Sequence, residues 1–259
     1  MCSSDLFEVA AAHFNDPANG FYGFVSRGQR AAAVTQFSSY LYSFDASFDV
    51  DGVATLNTPE AIAAFTFYGD MLRNYGPPGV LNMSWPQALA IFAQGNAAMY
   101  TDASVFYSNM LDPEQSDVGE LVGFAQFPAG SAGSRPYSVV SWGVSMAGTS
   151  RNKEAAWEFM KWATSKETTL AAQYRQVPSA RTSAWANPEG VVNFPAQLVD
   201  VIMASSEGSM PYDRPNVIGV GEARDVVGTV IVTAIEGGDV AAAAERANRD
   251  YQAILDREK

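Results

Sequence analysis

Residues 138–167 read SVVSWGVSMAGTSRNKEAAWEFMKWATSKE, and this stretch decides the fold class. Its first part is rich in β-branched and aromatic residues, so 137–147 is expected to be a strand. Trp142 sits there between Ser141 and Gly143, whose small side chains would leave the indole accessible. The pattern then changes period. Over 152–163, Ala155, Ala156, Phe159 and Trp162 recur at helical spacing and are expected to point inward. Thr164-Ser165-Lys166-Glu167 restarts a helix that ends near Gln176. A strand handing over to two helices indicates an α/β protein.

Upstream, residues 5–14 read as a helix with Asp5 as its cap and Leu6, Val9, Ala10 and His13 on one face. After the turn cluster Asp16-Pro17-Ala18-Asn19-Gly20, FYGFVS (21–26) reads as a strand and 31–44 as a helix. A short loop or hairpin follows over 45–52. Thr58-Pro59-Glu60 starts a helix carrying Ile62, Phe65, Tyr68 and Leu72, and Gly76-Pro77 ends it. Ser84 caps a helix ended by Gly95. AAMYT (97–101) is a short apolar strand, after which Asp102 is placed to cap a helix through Phe106 to Leu111. Residues 121–127 read as another strand. Downstream, 177–195 hold three prolines and read as an irregular, structured loop. Residues 197–204 are helical. Two long helices close the chain, one over 217–236 (Val220, Ala223, Val227, Val230, Ala234) and one from Asp239 (Ala243, Ala247, Tyr251, Ile254).

Composition removes several function classes. The 259 residues carry 28 acidic and 16 basic side chains, a net charge of −12, which argues against nucleic acid and against an anionic membrane surface. One Cys and one His supply neither a disulfide nor the usual zinc or copper ligand set. No DxDxDG loop and no GxSxG elbow is present. Neither a metal nor a cofactor is expected. No stretch approaches the ~20 apolar residues of a spanning helix. MCSSDLFE has neither the basic nor the apolar region of a signal peptide, and Cys2 reads as an incidental cysteine.

Four stretches carry a resemblance: YGFVSRG (22–28), GNAAMYTDAS (95–104), residues 138–167, and VPSARTSAWANPE (177–189). Together they resemble the later part of an extracellular solute-binding protein of a carbohydrate ABC transporter, in the maltodextrin-binding-like group and its sugar and sugar-alcohol branch. The resemblance covers nearly the whole chain from about Leu6. It implies a periplasmic binding protein-like type II α/β fold, with two lobes, a hinge and the ligand clamped between them. Aligned with that pattern, residues 1–140 are mostly the C-terminal-type lobe. Residues 141–195 are the crossover strand with part of the N-terminal-type lobe, and 196–259 return to the first lobe. The family's opening section has no counterpart here, so the N-terminal lobe is expected to be incomplete and MCSSDL non-native. The apolar faces of the helices at 152–163 and 166–176 would then lack cover.

A sugar presents an apolar C–H face for aromatic planes and a rim of hydroxyls for charged or amide groups. Trp142 matches a ligand-facing aromatic of the related proteins; the plainer alternative is a core Trp. Asp102 either accepts ligand hydroxyls or caps a helix. Arg27 either forks to two hydroxyls or is a solvated loop arginine. Gln36 matches an amide-bearing position of the polyol branch, although the AAAV before it departs from that pattern. Arg181 either reaches the ligand from the second lobe or ties its loop to a helix. Tyr22, Tyr40, Tyr107 and Tyr212 read as ordinary half-buried tyrosines. The expected function is a non-enzymatic sugar or sugar-alcohol receptor. It is expected to be periplasmic or extracellular with lipid anchoring left open, to be monomeric, and to deliver its ligand to ABC permease subunits. A non-sugar solute (oligopeptide, phosphate ester or polyamine) and a glycoside-processing enzyme are the competing readings.

Overall fold

The computed structural model describes residues 3–137 and 143–259. The chain divides into two compact units, Met1–Ser138 with Ala204–Lys259, and Val139–Met203.

The larger unit begins with α1 (Ser3–Phe14) and α2 (Arg30–Ser43), followed by the antiparallel hairpin of β1 (Asp49–Val50) and β2 (Val53–Ala54). Asp51 and Gly52 connect the strands with φ of 52° and 77°, the positive values that a tight two-residue hairpin turn requires. Helix α3 (Pro59–Tyr75) starts where the sequence places it, with Thr58 Oγ1 accepting the Ala61 N–H at 3.2 Å. Next come α4 (Trp85–Ala93), where Gln87 accepts the Ser84 N–H at 3.1 Å, and α5 (Tyr107–Leu111).

In the smaller unit lie α6 (Lys153–Ala163), α7 (Lys166–Tyr174), α8 (Thr182–Trp185) and α9 (Pro188–Val191). The unit boundary falls within α10 (Ala196–Gly208). Helices α11 (Val220–Ile235) and α12 (Val240–Arg257) complete the larger unit.

The core of the larger unit is built around α11, which packs against α2, α3 and α12. Ala223, Val227, Val230, Ile231 and Ala234 form its buried stripe. Between α2 and α3 the Phe37 and Phe65 rings stack at 4.3 Å. Helix α12 buries Ala243, Ala247, Tyr251 and Ile254, as its spacing predicts, and holds the hairpin with polar side chains. Gln252 accepts the Ala54 N–H at 2.8 Å, and Asn248 accepts the Leu56 N–H at 2.8 Å. Helix α2 is unusual: from Ala33 to Ser43 every residue is buried, with Thr35, Gln36, Ser38, Ser39 and Ser43 among them.

The smaller unit is held by α7, α8 and α9 around the buried Gln173, with α6 packed against α7. Ser165 caps α7 by accepting the Thr168 N–H at 3.1 Å. Trp185 anchors the 177–195 segment, donating to the Ser179 carbonyl at 2.7 Å and meeting Phe194 edge-on.

Several expectations are corrected. Regular strand among the described residues is confined to β1 and β2. FYGFVS and AAMYT do run parallel, but only as isolated bridges, Tyr22 to Ala97 and Val25 to Tyr100. The ladder breaks between them because the Phe24 N–H turns away to the Tyr75 carbonyl at the end of α3. Residues 121–127 form no strand; Leu121 ends a 3-10 turn and is 83% exposed. Of the strand expected over 137–147, residues 143–147 are irregular, and 138–142, with Trp142, lie outside the described residues. Helix α1 begins at Ser3 rather than at Asp5 and buries Ala11 and part of Phe7, leaving Leu6 and Val9 exposed. The stripe of α6 that helical spacing points inward is uncovered, as the incomplete lobe implied by the resemblance would leave it, and Trp157, Phe159 and Trp162 are each more than half exposed. Helical period identifies a stripe but not whether anything covers it.

Two glycines on α11 give opposite stability predictions. A Cβ on Gly228 would lie 2.5 Å from the Arg30 carbonyl oxygen, so this glycine lets α11 approach α2. A Cβ on the exposed Gly221 meets nothing. In urea unfolding, Gly228→Ala should lose about 1–3 kcal/mol by overpacking. Gly221→Ala should gain up to about 1 kcal/mol from helix propensity.

Candidate functional site

The parallel segments 22–29 and 96–102 bring two charged side chains together. The Val25 N–H donates to the Met99 carbonyl at 2.9 Å, so Ser26-Arg27 and Thr101-Asp102 leave the pairing side by side. Arg27 Nε donates to Asp102 Oδ2 at 2.7 Å, and Nη2 to Oδ1, in a two-point fork. The Asp102 side chain is fully buried and that of Arg27 is 11% exposed. Burial by itself would lower the Arg27 pKa, but its bond to Asp102 and the attraction of that carboxylate outweigh it, and the net shift is upward.

Beneath the pair lies a hydroxyl network. Ser26 Oγ donates to the Thr101 carbonyl at 3.0 Å, and Tyr40 Oη meets Thr101 Oγ1 at 3.1 Å. Tyr68 Oη donates to the Arg27 carbonyl at 2.6 Å, which fixes the backbone that carries the guanidinium. Burial raises the pKa of both tyrosines, so both remain neutral phenols.

Further polar groups surround the pair. Tyr100 and Tyr137 lie close enough to Asp102 and Arg27 to feel their charges, and burial, then Asp102, raises the pKa of each. Asp213 is forked by its neighbour Arg214, with Nε to Oδ1 at 2.7 Å. Arg224 on α11 donates to the Ala31 carbonyl at 2.9 Å. Burial, and then the charge of Arg214, lowers its pKa.

Helix α2 contributes one face to this region. Ser39 Oγ accepts the Tyr137 N–H at 3.0 Å, and Tyr40 reaches Thr101. Gln36, one turn earlier and 2% exposed, has no partner for its Oε1 among the described residues.

The structure thus joins two of the sequence-derived candidates directly, Arg27 and Asp102, and places Gln36 on the adjoining helix face. Asp102 does not cap a helix: the 3-10 turn Ser104–Phe106 follows Ala103, and both carboxylate oxygens are taken up by Arg27. Arg27 is not a solvated loop residue. Arg181, in the smaller unit, directs Nε to the Thr164 carbonyl at 3.0 Å, with Nη2 on the same oxygen, and ties its loop to the end of α6. Tyr40 and Tyr107 are fully buried, and His13 is exposed. Sequence reasoning missed Tyr137, Asp213, Arg214 and Arg224. The adjacent opposite charges of Asp213-Arg214 before Pro215 were the available signal. No group of metal-ligating side chains occurs among the described residues.

The buried pair yields a stability prediction. Asp102→Asn leaves the Arg27 charge unpaired and should cost about 3–5 kcal/mol in denaturant unfolding. The double variant Arg27→Met with Asp102→Leu should cost less than that single change.

Comparison with known proteins gives the context. Residues 8–169 match the sequence family described as bacterial extracellular solute-binding protein. Over 159 residues the chain is 33% identical to the mannitol-binding protein of Pseudomonas aeruginosa, a match covering 60% of this chain and 36% of that protein. It is 30% identical over 173 residues to the erythritol/L-threitol-binding protein of Mycolicibacterium smegmatis, covering 63% of this chain and 35% of that one. The fold matches the crystal structure of an ABC transporter solute-binding protein from Agrobacterium radiobacter K84 in complex with ribitol. There the TM-score is 0.84 and the identity 28%, over 96% of this chain and 63% of that chain. The chain therefore spans under two thirds of the solved relative and, in its matches, little more than a third of the curated ones. Its fold is of the type II periplasmic binding protein class, as the resemblance implied. With well over half of its residues matched, this chain belongs to the bacterial extracellular solute-binding protein family.

Proposed function

We propose that this chain contributes the ligand-binding surface of a receptor that captures a sugar alcohol or sugar outside the cytoplasm and passes it to the permease of an ABC importer. The larger unit is assigned to the C-terminal-type lobe and the smaller to the N-terminal-type lobe. The observation that carries the reading is the buried Arg27–Asp102 fork, with Tyr100 and Tyr137 close enough to feel its charges. Within it the roles divide. Asp102, fully buried, holds the guanidinium flat and charged. Arg27 keeps N–H groups beyond those used by Asp102 and offers them to the ligand.

Trp142 is assigned to the C–H face of the ligand on the strength of the sequence resemblance. Arg181 is assigned to holding its loop. The relatives named for mannitol and for erythritol or L-threitol support a polyol, and the ribitol complex points the same way.

Isothermal titration against mannitol, ribitol, erythritol and maltose should give saturable binding with at least one polyol and no turnover. No heat with any of them would reject the reading. Arg27→Met and Trp142→Ala should each weaken binding by about tenfold or more, as loss of a charged hydrogen-bond donor or a stacking plane does.

A further inference from the structure

Among the described residues, three buried side-chain oxygens of the larger unit have no hydrogen-bond partner, Gln36 Oε1, Tyr100 Oη and Tyr137 Oη; Tyr100 is drawn to Asp102, and the other two are related through α2. Tyr137 Oη is buried without a partner, and so is Gln36 Oε1. The helix geometry relates them. Ser39 on α2 pins the Tyr137 backbone, and Tyr40 on α2 reaches Thr101 beside Asp102. Gln36 precedes these residues by three and four positions, so it projects from the same face, between their directions. Tyr137 lies near enough to Asp102 and Arg27 to feel both charges.

A buried polar group left unpaired is costly, so Gln36 Oε1 and Tyr137 Oη each call for a partner that something else supplies. The chemistry of the missing partner is restricted. An amide oxygen only accepts, so it needs a donor. A neutral phenol needs an acceptor for its proton. A carboxylate fails the first requirement and an ammonium group the second, whereas an alcohol hydroxyl meets both with one oxygen.

We infer that Tyr137 and Gln36 form a hydroxyl subsite beside the Arg27–Asp102 pair, in which one ligand hydroxyl donates to Gln36 Oε1 and accepts from Tyr137 Oη. The inference rests on the polyol reading above and adds a specificity-determining residue, Tyr137, and a rule. The ligand must carry a free hydroxyl at the position that enters this subsite, and analogues lacking it are rejected.

The test pairs protein variants with ligand analogues. Titration would use the best-bound polyol of the panel and its monodeoxy analogues, with the unaltered protein, Tyr137→Phe and Gln36→Met. For the unaltered protein, one analogue should bind about ten- to a hundredfold more weakly than the parent. Tyr137→Phe should weaken the parent by a similar factor and bind the parent and that analogue nearly alike. Without ligand, Tyr137→Phe should unfold at the same urea concentration as the unaltered protein or a higher one, because it removes an unsatisfied group. Unchanged affinity in both variants overturns the subsite alone. So does a loss of stability in Tyr137→Phe with every analogue penalised equally, which would make Tyr137 structural. If the unaltered protein binds no polyol, the functional reading fails and the subsite with it.

Discussion

The Arg27–Asp102 fork joins two segments that lie 75 residues apart in the chain. A carboxylate with no exposed surface is tolerated only where a counter-charge and further donors meet its oxygens. Here the guanidinium meets both oxygens, and the Ala103 N–H adds a third bond to Oδ1 at 2.7 Å. That requirement dictates much around it. The 22–29 and 96–102 segments must run parallel, Tyr68 must hold the Arg27 carbonyl, and Tyr40 must hold Thr101. A buried ion pair of this kind is weak as a source of stability compared with apolar packing of the same volume. Its value lies in orienting a charged fork at a fixed place.

Helix α2 shows how the core supports that fork. A helix buried on all sides would ordinarily be apolar throughout. This one divides its labour. Ala33, Val34, Phe37 and Leu41 join the hydrophobic core, and Phe37 stacks on Phe65 of α3. Ser39 and Ser43 accept the N–H groups of Tyr137 and Arg135, so the 135–137 segment, which bridges Met210 on one side, finds further partners on a helix. Helix α11 presses on α2 closely enough that Gly228 has no room for a side chain. The polar face of α2 is therefore positioned by the packing of its apolar one.

The helices were legible from sequence because their signals are local. Thr58 caps the helix it was expected to cap, and Ser165 and Asp239 cap the helices whose starts the sequence places at 164–167 and at Asp239. The stripes of α3, α11 and α12 are buried largely where the 3.6-residue period puts them. Strands were over-assigned, since a run such as FYGFVS shows β propensity whether or not a neighbour continues the ladder, and here Phe24 turns to α3 instead. Helix α6 differs again: helical spacing points its stripe inward, yet Phe159 and Trp162 stand exposed, as the expected lack of cover over 152–163 implied. At the candidate site, Arg27 and Asp102 were named through their place in family-like stretches, and Gln36 through a match to one position outside them. Tyr137 and Arg224 were not, because nothing next to them in sequence marks their surroundings.

By itself, the sequence determined the family, the caps and registers of the principal helices, and a net charge of −12 with a single Cys and a single His. These follow from composition and from patterns within a few turns of chain. Tertiary structure alone decided that Asp102 faces Arg27 instead of a helix terminus, that Arg181 closes on the Thr164 carbonyl, and that Gln36 Oε1 and Tyr137 Oη are buried with no partner among the described residues. Each of these depends on which distant segments meet, and a side chain's role is set by the partner that burial places within hydrogen-bonding reach.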